Sequence, residues 1–182
     1  MKERDFYICK VEVPMYERYD KAVEENNEEE LKWFSQFGSE KWENQMITNA
    51  RAYEQYLSCG YKGKPRFNEC GWIENGNHEE LKEKTESVNV FKDGQCYAYV
   101  SILQHPNGMW VANEQYTLSL SGGGGYPGIW NQQYPTRRDA LNAMLDSLIR
   151  HIENSSVQKD KKYLSIIRKM RGTTDQLSLF DL

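Results

Sequence analysis

Two kinds of residue in this 182-residue chain have the chemistry of catalytic sites, namely paired charged residues and histidines. Glu30 with Lys32, and Glu80 with Lys82, have the carboxylate-x-lysine spacing that metal-dependent nucleases use. Both pairs occur in segments with helical patterning, where charged composition alone produces such spacings. The chain has three isolated histidines: His78, His105 and His151. Because none has a serine or cysteine at a spacing typical of hydrolases, we predict no catalytic residue and expect a protein that is not an enzyme.

Four consecutive glycines, residues 122–125, could cradle a phosphate, since bare backbone amides bind anions. No Gly-Lys-Ser/Thr triplet follows them, and the strand-to-helix spacing of a phosphate loop is missing. We expect instead a glycine-rich mobile loop over residues 121–134. Its aromatic residues Tyr126 and Trp130 would either pack locally or form a partner-binding surface. An unrecognised enzyme that uses this loop stays open as a second alternative function.

The most specific pattern lies in the last seven residues, 176–182. Residue usage puts the five-residue part of this pattern at roughly one in half a million per position. It resembles the peptide by which bacterial replication and repair proteins bind the DNA sliding clamp, which reads Gln-Leu-Ser/Asp-Leu-Phe. The matching residues are Gln176, Leu177, Ser178, Leu179 and Phe180. The resemblance implies that the glutamine amide sets the register by hydrogen bonding, while the leucine and phenylalanine side chains fill pockets of the clamp.

The segment that carries this peptide is polar. Gly172 is followed by Thr173 and Thr174, so we expect a flexible tail over residues 172–182. Burying each apolar side chain of the peptide would contribute roughly 1.5 to 3 kcal/mol. Ordering the segment opposes this gain, so an affinity near the micromolar range is expected. The alternative is that the apolar residues pack back on their own domain.

Charge is distributed unevenly along the chain, whose net charge is −4. Residues 159–182 hold six basic and three acidic groups, which leaves 17 basic and 24 acidic groups for the preceding residues. A basic helix around residues 159–171 could lie along a nucleic-acid backbone. Its candidate DNA-binding residues are Lys161, Lys162, Arg168, Lys169 and Arg171. Equally, its apolar side could dock on the domain while the charges are solvated.

The segment of residues 17–30 is acidic, with seven carboxylates. On a helix, such carboxylates could enter a channel that an enzyme uses for nucleic-acid phosphates. The candidate partner-binding residues are Glu24, Glu25, Glu28, Glu29 and Glu30. In size and composition the chain is similar to phage-encoded inhibitors, including anti-CRISPR proteins directed against Cas9, although no motif identifies such a target. A solvated helix face is the other interpretation.

Composition favours a cytoplasmic protein without a membrane partner. The mean hydropathy is −0.84, and no apolar run has the length of a membrane span or a secretory signal. The four cysteines form no Cys-x-x-Cys pair and the histidines are scattered, so we predict free thiols, no metal site and no cofactor.

Periodicity predicts the α+β class, with a mainly helical N-terminal region. Residues 6–13 are predicted to form a strand that Pro14 ends. A three-stranded antiparallel meander is predicted over residues 88–92, 95–104 and 109–120, because Asp-Gly and Asn-Gly turns separate these segments. Thr136 and Asp139 have the spacing of a helix cap, and the apolar stripe of the following helix should pack across the sheet.

These elements suggest four segments, residues 1–86, 87–153, 154–171 and 172–182. Together the patterns predict a non-enzymatic accessory protein of bacterial, phage or plasmid origin that acts on DNA-processing machinery. Its peptide would tether it to the sliding clamp. The alternative is an anti-CRISPR-type inhibitor of Cas9 or of another nucleic-acid enzyme, with or without DNA binding.

Overall fold

The computed structural model describes residues 10–177. Within these residues the chain forms six α-helices and a four-stranded antiparallel sheet, which confirms the α+β class. Contacts divide the chain after Gly76 into two compact units. The sequence suggested a boundary at residue 86, and the segments 87–153 and 154–171 belong to one unit. Every described helix is too short or too polar to cross a bilayer.

Over residues 10–13, the described part of the predicted first strand, the first unit has a turn and the start of a helix. Residues 10–12 form a turn and Val13 begins helix α1, Val13–Glu24, whereas residues 6–9 lie outside the described part. The predicted strand is therefore wrong over residues 10–13. The physical reason is Pro14, which occupies the first turn of α1, where a missing backbone N–H costs no hydrogen bond.

The acidic segment is not one helix. Helix α1 ends at Glu24, and helix α2, Glu28–Ser35, begins after Asn27. Asn26 has a left-handed backbone with φ of 49°, which asparagine tolerates better than most residues. The Asn27 side chain accepts a hydrogen bond from the backbone N–H of Glu30 and so caps α2.

Helix α3, Glu43–Ser58, supplies the centre of the first unit. Its buried apolar residues pack with those of α1 and α2. The core comprises Met15, Tyr16, Tyr19, Phe34, Phe37, Met46, Ile47 and Ala50. Fully buried Asn49 donates to the carbonyls of Phe37 (3.0 Å) and Gly71 (2.8 Å) and accepts from the N–H of Ile73 (3.0 Å). One side chain thus holds two irregular segments on α3.

The second unit contains the sheet. Its strands are β1 (Glu86–Asp93), β2 (Cys96–Gln104), β3 (Trp110–Thr117) and β4 (Gly122–Gly124), hydrogen-bonded in that order. The sequence predicted three strands, so β4 corrects both the strand count and the assignment of the glycine run to a loop. A Cβ on Gly124 would lie 2.1 Å from the Glu114 carbonyl oxygen, so only glycine brings the backbone this close to β3.

Two helices cover one face of the sheet, α5 (Arg137–Glu153) and α6 (Tyr163–Leu177). A short helix α4, His78–Leu81, precedes β1. The predicted cap of α5 is confirmed, since the Thr136 side chain accepts from the Asp139 N–H at 3.1 Å. The sheet contributes Ala98, Val100 and Ile102 to the core, α5 contributes Leu141, Leu145, Leu148 and Ile152, and α6 contributes Tyr163 and Ile167.

Strand β1 contains a bulge between Asn89 and Phe91. Before the bulge Asn89 pairs with Tyr99, and after it Phe91 pairs with Ala98 and Lys92 with Tyr97. The extra residue is Val90, which is buried together with Phe91 in the core. Two consecutive residues therefore enter the core, after which the alternation resumes.

Asp160, in the 3₁₀ segment Gln158–Lys162, is 1% exposed and ties the end of β3 to the link after α5. Its carboxylate accepts hydrogen bonds from the hydroxyls of Ser119 (2.6 Å) and Ser155 (2.9 Å). Burial alone raises the pKa of Asp160, but these hydrogen bonds outweigh it and hold the pKa below its ordinary value.

Replacing Asp160 with asparagine is therefore expected to reduce stability near neutral pH by about 1 to 2 kcal/mol. Because the folded-state pKa is depressed, the native carboxylate stabilises the fold above about pH 4, and this contribution is lost as the pH falls through the folded-state value. Thermal unfolding between pH 7 and pH 3 should thus fall less steeply for Asp160→Asn. Glu83→Gln, at an exposed carboxylate, is the control, and identical pH profiles for Asp160→Asn and the native chain would contradict the assignment.

Candidate functional site

The clamp-like peptide lies at the end of α6. This helix continues past Arg171 to Leu177, so residues 172–177 of the predicted flexible tail have a helical backbone. Gln176 and Leu177 therefore have a helical backbone, while Ser178, Leu179 and Phe180 lie outside the described residues. Gly172 and Thr173 are exposed, and a Cβ on Gly172 would meet nothing within 4 Å. The turn of α6 at Gly172 and Thr173 is therefore exposed.

The basic residues before α6 are bound to their own unit. Lys161 donates to the carbonyl of Ile152 at 2.7 Å and also to that of Glu153, at the C-terminus of α5. Lys162 forms an ion pair with Asp93. The hydrogen bond between them raises the pKa of Lys162 and lowers that of Asp93. A cation near the last carbonyls of a helix is stabilising, so Lys161 attaches this segment to α5, while Lys162 attaches it to the end of β1.

Two of the remaining basic residues are paired in the same way. The Arg168 guanidinium lies 2.7 Å from the Glu153 carboxylate, and that of Arg171 lies 3.2 Å from Asp146. Lys169 is exposed. Four of the five residues predicted to bind DNA therefore contact acidic or carbonyl groups of the unit itself, which lowers the positive charge that α6 offers to a phosphate backbone.

The acidic residues flank the turn between α1 and α2. Glu24 and Glu25 end one helix, and Glu28 and Glu29 begin the next, and all four are exposed. Glu30 is different, because its carboxylate lies 2.5 Å from the Arg18 guanidinium. The structure therefore brings four of the five predicted carboxylates together as an acidic turn.

Two of the three histidines, His105 and His151, have structural surroundings. His151 of α5 stacks on Tyr116, with ring centroids 4.7 Å apart, and contacts the Glu114 carboxylate at 3.4 Å. Ser147 donates to that carboxylate at 2.8 Å. Since the carboxylate stands between the hydroxyl and the imidazole, His151 is not placed to take the serine proton directly. His105 is buried, which lowers its pKa.

The face of the sheet opposite the helices carries a different set of residues. Cross-strand partners share a face, so the register defines three rows across β1, β2 and β3. The rows are Lys92–Tyr97–Thr117, Asn89–Tyr99–Gln115 and Ser87–Ser101–Asn113. Among these nine described residues none is acidic. We call them, together with Tyr126, the tyrosine face.

The tyrosines of this face are arranged around Gln115. The rings of Tyr97 and Tyr99 lie nearly parallel, with centroids 5.9 Å apart. The Tyr99 hydroxyl donates to the Gln115 side-chain oxygen, whose amide nitrogen donates to the Gly125 carbonyl at 3.1 Å. Burial, then the neighbouring Tyr126 and Tyr97, raise the pKa of Tyr99. Tyr97 and Tyr126 are 37% and 49% exposed.

The glycine run explains how Tyr126 reaches this position. Strand β4 pairs Gly124 with Gln115 and Gly122 with Thr117, so the chain leaves β4 beside Gln115. The hydrogen bond to Gly125 then holds the next residue, Tyr126, near Tyr99. Of the two aromatic residues predicted to bind a partner, Tyr126 thus belongs to the tyrosine face. Trp130 is 52% exposed in the segment that follows.

Tyr97, Tyr99 and Gln115 were not among the site residues predicted from the sequence. The signal was present in β2, where Tyr97 and Tyr99 alternate with the small and apolar residues Ala98 and Val100, both of which are buried. Alternation of this kind places the tyrosines on the opposite face, but it does not show that a distant glycine strand brings a third tyrosine beside them.

Within residues 10–177, no group of three histidine, cysteine or carboxylate side chains is placed to hold a metal ion. Comparison with protein-family models, with curated proteins and with solved structures finds no match for this chain, so its function has to be inferred from its own residues.

Proposed function

We propose that this protein is a non-enzymatic accessory protein that acts on DNA-processing machinery and is tethered to the bacterial sliding clamp. The observation that carries the proposal is the Gln-Leu-Ser-Leu-Phe pattern of residues 176–180. The exposure of Gly172 and Thr173 supports it, because a peptide that follows exposed helical turns is accessible to a partner.

The helix that leads to this peptide is packed firmly against the rest of the second unit. Buried Tyr163 and Ile167, and the ion pairs of Lys162 and Arg168, attach the first turns of α6 to β1 and α5. A clamp that holds the peptide would therefore hold the sheet and its helices at a short distance. The expected affinity is in the micromolar range, because apolar burial is offset by the loss of freedom of the chain.

The test is binding of the purified chain to purified bacterial sliding clamp by surface plasmon resonance. The double substitution Leu179→Ala and Phe180→Ala removes two apolar side chains worth roughly 1.5 to 3 kcal/mol each when buried, so binding should fall below detection. The melting temperature should not change. Leu120→Ala, at a leucine that is 82% exposed, is the matched control and should bind like the native chain.

Unchanged clamp binding by the double variant would refute the tether. A lower melting temperature would also count against it, because it would show that Leu179 and Phe180 pack on their own domain.

A second candidate function is favoured by the acidic turn. Four exposed carboxylates on two helix ends could enter a positively charged channel, and the chain would then inhibit Cas9 or another nucleic-acid enzyme. Pull-down from a bacterial lysate separates the two candidates when it uses the intact chain, a chain ending at Arg171, and a chain with the acidic turn changed to glutamine. The substituted residues are Glu24, Glu25, Glu28 and Glu29.

Tethering predicts that the intact and the glutamine-substituted chains capture the clamp and that the shortened chain does not. Inhibition predicts that a nuclease or other nucleic-acid enzyme is captured by the intact and the shortened chains and lost with the glutamine substitutions.

A further inference from the structure

We propose that the tyrosine face binds single-stranded DNA, with Tyr97 and Tyr126 as stacking platforms for bases. The choice of DNA over RNA rests on the proposed function in DNA processing, whereas the site itself rests on the geometry of the second unit. The site is distinct from the clamp-like peptide and from the basic residues near α6.

The rings of Tyr97 and Tyr126 remain 37% and 49% exposed, although each is held in place by neighbouring strands. Tyr97 lies on the central strand β2 beside Tyr99, and Tyr126 follows the hydrogen bond between Gln115 and Gly125. Aromatic rings on a rigid sheet bind unstacked bases at a low entropic cost.

Polar side chains surround these rings. Asn89 and Thr117 flank the two tyrosines of β2 in the same rows, and Asn113 lies in the next row. Their amide and hydroxyl groups both donate and accept hydrogen bonds, which suits the edges of bases that are not paired. A duplex hides those edges, so this surface matches a single strand.

The charge of the tyrosine face also suits a nucleic acid. The nine residues of the three rows include Lys92 and no carboxylate, whereas the chain as a whole has more acidic than basic groups. Exposed Lys92 stands at the end of the row that contains Tyr97 and Thr117, where a backbone phosphate can follow a base stacked on Tyr97. The paired cations of α6 would be less available for this purpose.

Stacking and a single lysine predict a distinctive salt dependence. A single strand that contacts one cation releases few counterions, so log K should fall with log salt with a slope of about −0.7. Binding driven by the basic residues around α6 would give a steeper slope. This difference separates the tyrosine face from the site predicted from sequence.

The experiment is fluorescence anisotropy of a labelled oligothymidine of about ten nucleotides, titrated with the full chain in the absence of clamp. Tyr97→Ala and Tyr126→Ala should each weaken binding roughly 5- to 100-fold, whereas Tyr97→Phe retains the ring and should bind like the native chain. Lys92→Gln should flatten the salt dependence. Trp42→Ala removes an aromatic residue of the first unit that is 63% exposed, and it should change nothing.

Both alanine substitutions are at exposed positions, so circular dichroism and the melting temperature should match those of the native chain. The inference is overturned if the oligothymidine does not bind, if binding survives both alanine substitutions, or if it depends only on Lys161, Lys162, Arg168 and Lys169. Preferential binding of duplex DNA, of RNA or of an oligosaccharide at this face would also overturn it.

The double variant Leu179→Ala and Phe180→Ala keeps the two proposals separable. It should lose the clamp and retain the oligothymidine. Loss of clamp binding without any DNA binding in the native chain would leave the tether standing and remove the tyrosine face.

Discussion

Replacing Asn49 with alanine is expected to destabilise the first unit by about 3 to 5 kcal/mol, because three hydrogen bonds of a buried amide are lost at once. The side chain is fully buried, and its partners are the carbonyls of Phe37 and Gly71 and the N–H of Ile73. Alanine leaves these three backbone groups without their hydrogen-bond partner. A loss of this size is a large fraction of the 5 to 15 kcal/mol that stabilises a typical domain.

Urea denaturation followed by tryptophan fluorescence measures this effect, with amide exchange reporting which residues open. Protection should fall first around Gly71 and Ile73. Ser58→Ala, at the exposed end of the same helix, removes a local hydrogen bond to Gln55 and sets the scale for a minor change. A loss for Asn49→Ala no larger than that for Ser58→Ala would show that water replaces the amide.

Replacing Gly124 with alanine is expected to cost about 2 to 3 kcal/mol and to detach β4 from the sheet. Gly124 has φ of 127°, and a Cβ there would lie 2.1 Å from the Glu114 carbonyl oxygen and 2.5 Å from the Gln115 Cα. Both neighbours belong to the backbone of a central strand, so the glycine strand has to move. Tyr126 would then lose its place beside Tyr99.

Gly63→Ala separates the cost of the steric clash with β3 from the cost of the positive φ. Gly63 has a similar φ of 137°, but a Cβ there would meet nothing within 4 Å, so its cost reports the backbone conformation alone. Thermal unfolding should show a smaller loss for Gly63→Ala, and amide exchange should show faster opening of residues 122–125 only in Gly124→Ala. Equal losses in the two variants would contradict a steric role for the close approach to β3.

Local signals in the sequence were sufficient for much of the second unit. The Asp93-Gly94 dipeptide predicted a turn between two strands, and β1 and β2 lie antiparallel on either side of it. Thr136 predicted the start of α5 because a cap depends only on residues three positions away. These features are decided by neighbours in sequence.

The predictions that differ from the structure concern residues whose structure depends on partners distant in sequence, or residue types that suit two kinds of element. The glycine run forms a strand because it pairs with β3, and nothing within residues 121–126 predicts that pairing. Pro14 ends a strand in general but equally begins a helix, and the apolar pattern before it did not distinguish the two. Likewise, charge counting near α6 could not show that Asp93, Asp146 and Glu153 would neutralise its cations.

The bulge in β1 gives the strand one more core side chain than strict alternation allows. Because Val90 is the extra residue between Asn89 and Phe91, its deletion would restore strict alternation through the end of the strand. Phe91 would still face the core opposite Ala98, and Lys92 would still lie beside Tyr97 on the other face. Position 90 is therefore the place in β1 where a one-residue deletion should be tolerated best, at the cost of the packing of Val90, whereas a deletion on either side of the bulge would exchange the two faces.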